Sequence, residues 1–202
     1  MATNLKKLKT VKKDYGRVEE GTYPARIVQL IMLGSQLQTD WQTGEAKEDK
    51  EGNVIYKPEI WITYEFPTER IRYENDEGET VDRPRWQSKT YTLSMHEKAG
   101  FRKLMDAACP DGESLDDLIG QPCIVTVGST SGGNAKITGV SSPMKGMEVG
   151  MLENVPVIYD LDEPEQEIFD TLPNFLQEKI NNRQDKEELF EEPEAIADPF
   201  AA

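Results

Sequence analysis

A long β-branched segment near the start of the chain restricts the fold more than any other feature. Residues 21–33 read Gly-Thr-Tyr-Pro-Ala-Arg-Ile-Val-Gln-Leu-Ile-Met-Leu, and Gly34 follows them. Such residues favour strands, and the second half of the segment is apolar at odd and even positions alike. Because neighbouring side chains of a strand point to opposite faces, both faces need cover. We therefore predict a strand that lies centrally in a sheet, or one that bends to serve both sides of a small barrel.

Two further strands are predicted from alternating side chains. The second strand, over residues 57–66, places its large apolar residues on one face, which is the predicted core face: Ile60, Ile62, Tyr64 and Phe66. Trp61 falls on the opposite face. A charged connection over residues 69–84 leads to the third strand, which is predicted over residues 85–94.

A helix and a hairpin complete the predicted elements. Ser94 and Glu97 match a capping box, and an apolar stripe at helical spacing continues to the residue pair before Pro110. Residues 123–127 and 135–140 then form a predicted hairpin. Three strands, a helix and two strands are the element order of the OB-fold, a five-stranded barrel with a helix between strands 3 and 4. The sequence thus predicts a mainly β fold with short helices, and an SH3-like barrel is the structural alternative.

The charge is distributed unevenly along the chain. The formal net charge is -15, but residues 160–202 carry 14 acidic and 3 basic residues, which leaves only -4 for residues 1–159. Few apolar residues accompany the acidic ones at the C-terminus, which is typical of disorder. We predict four parts: a basic N-terminal arm (1–17), an OB-fold domain (18–159), a helical extension (160–184) and a disordered acidic tail (185–202).

Two of these parts leave alternatives open. The arm holds six Lys or Arg residues against the single acid Asp14, and it is either a solvated terminus or a contact for phosphates or a partner. The helical extension docks either on the body or on another subunit, and the second arrangement would give a homodimer. Trp41, in the polar loop over residues 35–56, is a stacking ring, a partner contact or a staple against the body.

The inventory of reactive side chains favours a binding protein over an enzyme. The chain has two cysteines, Cys109 and Cys123, and the single histidine His96. They form no Cys-x-x-Cys spacing and no nucleophile motif, so we predict reduced thiols, no metal, no cofactor and no catalytic residue. No run of about 18 apolar residues and no secretory signal is present, which predicts a cytoplasmic protein without a membrane partner.

Aromatic and basic side chains are interleaved along the second and third strands and their connection. Flat rings stack on nucleobases and cations neutralise phosphates, so this pattern predicts binding of single-stranded nucleic acid without sequence preference. Trp86 is the strongest candidate because cations surround it in the sequence, although a charge run is more often a solvated face. The candidate residues are Lys57, Trp61, Arg70, Arg72, Tyr73, Arg83, Arg85, Trp86 and Lys89.

Three segments carry a resemblance to a known family. They read Gly-Thr-Tyr-Pro-Ala-Arg from Gly21, Leu-Ile-Gly-Gln-Pro-Cys-Ile-Val-Thr-Val from Leu118, and Phe-Asp-Thr-Leu-Pro-Asn-Phe-Leu from Phe169. Together they resemble phage-encoded OB-fold single-stranded DNA-binding proteins. The resemblance implies an accessory of DNA replication or recombination that coats single strands, removes hairpins and recruits replication proteins. It also implies a location in the cytoplasm of an infected bacterial host.

The acidic tail is similar to the phenylalanine-bearing C-termini of bacterial and podophage single-stranded DNA-binding proteins. The similarity implies contacts with replication or recombination proteins, in which a ring enters an apolar pocket and acids meet its basic rim. Ala201 and Ala202 follow the ring, so a pocket that requires a terminal carboxylate on phenylalanine would not be satisfied. The tail also has two other interpretations, a solubilising segment and a competitor for the protein's own binding groove. The candidate contacts are Glu191, Glu192, Glu194, Asp198, Pro199 and Phe200.

Two other functional classes remain as alternatives. A net charge of -15 suits an acidic interaction factor that mimics DNA or inhibits a host enzyme without binding DNA. An enzyme is the third hypothesis, since Asp116, Asp117 or the acids of residues 74–79 are of the type that binds Mg²⁺. Carboxylates in charged loops are usually only solvated, and no catalytic motif accompanies these.

Overall fold

The computed structural model describes residues 18–40, 42–75 and 77–185. The predicted roles of the basic arm, of Trp41 and of the six tail residues fall outside these ranges. The helices and strands of the described part are β1 (Gly21–Leu37), β2 (Tyr56–Glu74), β3 (Thr80–Thr92), α1 (Gly100–Ala108), a 3-10 turn (Asp116–Leu118), β4 (Pro122–Ser129), β5 (Ala135–Ser141), β6 (Val157–Tyr159), α2 (Gln166–Thr171) and α3 (Asn174–Asn181).

Strand β1 is the centre of a six-stranded sheet, in which five strands follow the order β3-β2-β1-β4-β5 and β6 lies off this path. It pairs antiparallel with β4 over residues 21–26 and with β2 over residues 26–37. The short strand β6, which was not predicted, pairs with β1 in parallel over residues 29–31. The prediction of a mainly β fold with short helices is confirmed. The sheet is open, with β3 and β5 at its two ends, and the Gln87 side-chain amide donates to the Ala135 carbonyl between them at 3.4 Å.

The central strand has apolar side chains on both faces, and its register with β2 shifts along its length. An irregularity between Ile27 and Gln29 interrupts the pairing with β2. Ile27 and Leu30 belong to the inner cluster of buried side chains, whereas Ile31 packs in a second cluster on the other face. A bulge inserts one extra residue and changes which face the following side chains meet. The prediction of a central, two-sided strand is therefore confirmed.

The inner cluster lies between the curved sheet and helix α1. The side chains predicted for the core face of β2 are all fully buried. The apolar stripe of α1 is almost completely buried. Inside this cluster the Tyr64 and Tyr91 hydroxyl oxygens lie 2.8 Å apart. Burial raises the pKa of Tyr91 to about 12, so this pair stays neutral at physiological pH.

The outer cluster lies on the opposite face of β1 and is formed with the C-terminal elements. Helices α2 and α3 and strand β6 pack there, so the predicted helical extension docks on the body of its own chain. Gly34 has a positive φ of 70°, and a Cβ on it would collide with the side chain of Arg183, so glycine permits this close approach. The buried members of the cluster are Ile31, Leu33, Tyr159, Phe169, Leu172, Leu176 and Ile180.

The capping box predicted at Ser94 is wrong. Helix α1 begins at Gly100, its N-cap is Ala99, and no side chain caps it. Pairing with β2 instead continues past the end of β3, because the Leu93 amide donates to the Pro58 carbonyl of β2 at 2.8 Å. The Ser94 hydroxyl accepts a hydrogen bond from the His96 amide at 3.4 Å, which is a local turn contact. Tertiary pairing therefore overrides the local helix signal.

The connection predicted over residues 69–84 is mostly β-structure. The pairing of β2 with β3 continues as far as Glu74 and Thr80, so the two arms of this hairpin extend beyond the inner cluster. Only the predicted turn remains irregular. No helix within the described ranges is long and apolar enough to cross a membrane.

Candidate functional site

A groove of about 590 Å³ lies at the seam between the two ends of the sheet. Strand β3 forms one wall, the start of β5 forms the other, and the end of the β4–β5 loop closes one side. The groove combines an aromatic ring, two guanidinium groups and several amides with apolar side chains. Its lining residues are Val18, Ile71, Arg83, Pro84, Arg85, Trp86, Gln87, Asn134, Ala135 and Asn154.

Trp86 is the largest side chain of this seam groove. It lies opposite Glu65 in the β2–β3 ladder, on the face of the sheet that points away from the inner cluster. Its indole nitrogen donates to Glu65 Oε2 at 3.2 Å, and 41% of the residue remains exposed. A large apolar ring with a bonded polar edge and exposed surface is suited to stack on a flat ligand.

Two of the predicted cations line the same groove. Strand alternation places Arg83 and Arg85 on the opposite face of β3 from Trp86, and the groove brings them together because it wraps around the strand edge. The Arg83 guanidinium lies 5.5 Å from the centroid of the Tyr73 ring. This stacking holds the cation at the groove while leaving it charged.

Lys89 does not belong to this group. It pairs with Ile62 in the ladder, so its side chain is directed to the inner face, and its Nζ lies 4.9 Å from the Tyr91 ring centroid. Desolvation lowers the pKa of the Lys89 amine. The sequence placed Lys89 beside Trp86 because it lies three residues away, but the Lys89 side chain contacts the Tyr91 ring and does not line the groove.

Arg70 and Arg72 are paired with carboxylates. Both donate to Asp82, at 2.6 and 2.7 Å, and Arg70 also forms an ion pair with Glu153. The hydrogen bonds donated by Arg70 and then Arg72 lower the pKa of Asp82, while the bonds that Arg70 donates to Glu153 and Asp82 raise the pKa of Arg70. The positive charge predicted here is therefore largely compensated by its own neighbours.

Trp61 and Lys57 lie towards the other end of the hairpin from the seam groove. The Trp61 ring meets Phe175 of α3 edge-on, with centroids 5.3 Å apart, and it packs against the outer cluster. Lys57 is exposed and pairs with Gln36 of β1. Neither lines the seam groove, so the structure brings together only Arg83, Arg85 and Trp86 from the predicted set.

The sequence did not single out Asn154, or Glu65, which accepts hydrogen bonds from the groove residues Trp86 and Asn154. Glu65 is fully buried, and it accepts hydrogen bonds from the Glu153 and Asn154 backbone amides and from the Asn154 side chain. Asn154 itself lines the groove. A charged residue at an outward position of an alternating strand normally faces solvent, so no signal in the sequence marks Glu65 as buried.

The described residues offer little for other chemistry. No group of three His, Cys, Asp or Glu side chains in residues 18–40, 42–75 and 77–185 is placed to hold a metal ion. Cys123 is a free, buried thiol whose pKa is raised to about 12 by burial, and Cys109 is also free. A thiol with so high a pKa is unreactive. The seam groove therefore remains the best candidate site for a ligand.

Comparison with known proteins adds no assignment to this geometry. No family model, curated protein or solved structure matches the chain. The resemblance to phage single-stranded DNA-binding proteins remains a prediction, and the chemistry of the seam groove has to be inferred from its own residues.

Proposed function

We propose that the protein binds single-stranded DNA in the seam groove without reading its sequence. The observation that carries this proposal is the meeting of an exposed Trp86 ring with Arg83 and Arg85 in one groove of about 590 Å³. A base stacks on the ring, and the guanidinium groups neutralise the adjacent phosphates. Every base has a flat face, so such contacts tolerate any sequence.

The strand order supports a finer proposal for the fold, namely a five-stranded OB-type barrel with β6 as an addition. The order β3-β2-β1-β4-β5, with α1 between β3 and β4, follows the OB pattern once β3 and β5 are brought together. OB-folds bind oligonucleotides on the face of strands 2 and 3 and on the loops after strands 1 and 4. The seam groove uses β3 and the end of the loop after β4.

In this proposal the protein acts in phage DNA replication or recombination inside the bacterial host. The basic arm adds contacts to phosphates, since Val18, at which the described chain begins, lines the seam groove. The acidic tail recruits partner proteins or competes with DNA. The two roles of the tail are proposed from the sequence. Deletion of residues 186–202 separates them, because tighter DNA binding after the deletion indicates competition.

A titration of labelled oligo(dT) with wild type and Trp86→Ala tests the proposal. Loss of one stacking ring weakens binding by about 1–3 kcal/mol, which corresponds to about five- to 150-fold in affinity. Tyr56→Ala is the matched control, since Tyr56 is a comparably exposed aromatic residue (39%) of β2 outside the groove. Equal affinity of a folded Trp86→Ala variant and the wild type would refute the site.

An acidic interaction factor is the second candidate, and the charge of the body favours it. Residues 1–159 carry -4 and the arm contributes +5 to that value, so residues 18–159 alone carry -9. The ion pairs of Arg70 and Arg72 further reduce the exposed positive charge. Absence of oligo(dT) binding by the full chain at low salt, where phosphate contacts are strongest, would favour this candidate.

A further inference from the structure

Glu65 is a buried carboxylate whose position in the fold is unusual. It is fully buried on the outward face of β2, and its four hydrogen-bond donors are N–H groups of Trp86, Glu153 and Asn154. The shortest of these bonds, from Asn154 Nδ2, measures 2.6 Å. Burial of a charge is costly unless donors compensate it, so each of these bonds matters to the local structure.

The donors come from two elements that are remote in sequence. Trp86 belongs to β3, whereas Glu153 and Asn154 end a strap, defined here as residues 149–154, that crosses the outer face of the sheet. The Arg26 guanidinium holds the beginning of the strap by donating to the Gly150 and Val149 carbonyls at 2.6 and 3.1 Å. A Cβ on Gly150 would lie 2.7 Å from Pro67, so the strap lies too close to β2 for a larger residue.

We infer that Glu65 is a positioning residue of the seam groove, which fixes both the ring of Trp86 and the strap that carries Asn154. This inference rests on the proposed function for its ligand, single-stranded DNA. Oε2 accepts hydrogen bonds from the indole N–H and from the Asn154 side chain, so one oxygen atom sets the position of Trp86 relative to the strap. Oε1 holds the Glu153 amide at 2.7 Å and anchors the strap to β2.

The electrostatic effect of Glu65 on DNA binding has the opposite sign to its positioning effect. Removal of a negative charge beside a phosphate chain strengthens binding, because like charges repel. Loss of positioning weakens binding, because the ring and the strap no longer hold one arrangement. A fall in affinity after neutralisation of Glu65 therefore reports positioning and cannot arise from charge.

The main test compares Glu65→Gln with Glu148→Gln, which removes the same charge from an exposed residue just before the strap. Glutamine keeps the size but turns an acceptor into a donor that faces other donors. We expect oligo(dT) affinity to fall about five- to tenfold for Glu65→Gln, a part of the range for loss of a stacked ring. Glu148→Gln is expected to bind like the wild type or slightly more tightly.

A second readout requires no DNA. In NMR spectra, the indole N–H signal of Trp86, assigned by its loss in Trp86→Phe, is expected to shift in Glu65→Gln. The Glu153 and Asn154 amides are expected to exchange with solvent faster, while those of the inner cluster stay protected. A role confined to overall stability would accelerate exchange throughout the sheet and would leave the folded-state signal of Trp86 in place.

Trp86→Phe tests the same hydrogen bond if Glu65→Gln does not fold. This variant retains a stacking ring but lacks the N–H group, and we expect it to bind oligo(dT) a few-fold more weakly than the wild type. Wild-type affinity of Trp86→Phe, or of a folded Glu65→Gln variant, would overturn the inference. If the wild type itself does not bind oligo(dT), the proposed function fails, and the NMR readout still decides whether Glu65 positions the ring and the strap.

Discussion

Trp61 and Trp86 lie on the same face of the β2–β3 hairpin, but they have different surroundings. Trp61 lies opposite Thr90, and its ring packs on Phe175 and the outer cluster. Trp86 lies opposite Glu65, keeps 41% of its surface exposed and lines the seam groove. The same residue type on one sheet face thus has a packing role in one position and an accessible ring in the other.

The C-terminal third of the chain causes this difference. Helix α3 supplies the ring that covers Trp61, and the Lys179 Nζ of the same helix lies 3.5 Å from Glu59 of β2. At Trp86 the strap binds the carboxylate that holds the polar edge of the ring, and 41% of the residue stays exposed. Cover by elements remote in sequence therefore decides which aromatic residue is available to a ligand.

The largest expected effect comes from removal of the covered ring. Trp61→Ala is expected to lower the free energy of unfolding by about 2–3 kcal/mol, because a half-buried ring leaves a void against α3. Its oligo(dT) affinity is expected to stay within about twofold of the wild type, since Trp61 makes no groove contact. Denaturant unfolding and the oligo(dT) titration measure the two effects.

Trp86→Ala is the matched variant, and it should show the reverse ranking, with weaker oligo(dT) binding and a smaller loss of stability than Trp61→Ala. The comparison of the two tryptophans breaks down if Trp61→Ala loses as much affinity as Trp86→Ala at equal folded fraction. In that case the binding surface would extend along the outer face of the hairpin towards α3.

The local pattern of the strands could be predicted from the sequence. Alternation identified the buried residues of β2, the apolar stripe identified the buried face of α1, and turn residues identified the β4–β5 hairpin. These features depend on side chains that are close in sequence and on a period that the strand or helix imposes. The hairpin arms beyond the inner cluster were missed, because charged pairs such as Arg72 and Asp82 there replace an apolar face.

The candidate site was predicted less well, since it depends on contacts between distant segments. The sequence pointed to Trp86, Arg83 and Arg85, which do line one groove. It gave no sign that Phe175 would cover Trp61 or that Glu65 would be buried under the strap. A polar residue on a strand is read as exposed by default, and only the complete fold shows what lies above it.

Salt dependence gives a second, smaller test, which compares a cation that lines the groove with a cation that lies outside it. Arg85→Gln is expected to reduce the slope of log affinity against log salt by about 0.7, the value for one phosphate contact on a single strand. Arg72→Gln is the control, because Arg72 is 73% exposed but donates to Asp82. Equal slopes for the wild type and Arg85→Gln would remove Arg85 from the interface.

The smallest expected effect concerns Asp82, which pairs with both Arg70 and Arg72. Asp82→Asn releases positive charge near the groove, so we expect oligo(dT) affinity to rise about twofold at low salt. Hydrogen bonds from Arg70 and Arg72 hold the pKa of Asp82 below its usual 3.8. The carboxylate is therefore charged from pH 8 to 5, and the difference between variant and wild type should be constant over this range.

The stability of the hairpin arms supplies the control for this variant. A carboxylate with a lowered pKa stabilises the folded state above its unfolded pKa, and the contribution is lost as the pH falls through the folded value. The unfolding midpoints of the wild type and Asp82→Asn should therefore differ at pH 6 and converge below pH 3.8. If the affinity of Asp82→Asn equals that of the wild type at every salt concentration, Arg70 and Arg72 lie outside the reach of DNA, and the interface is limited to the seam groove.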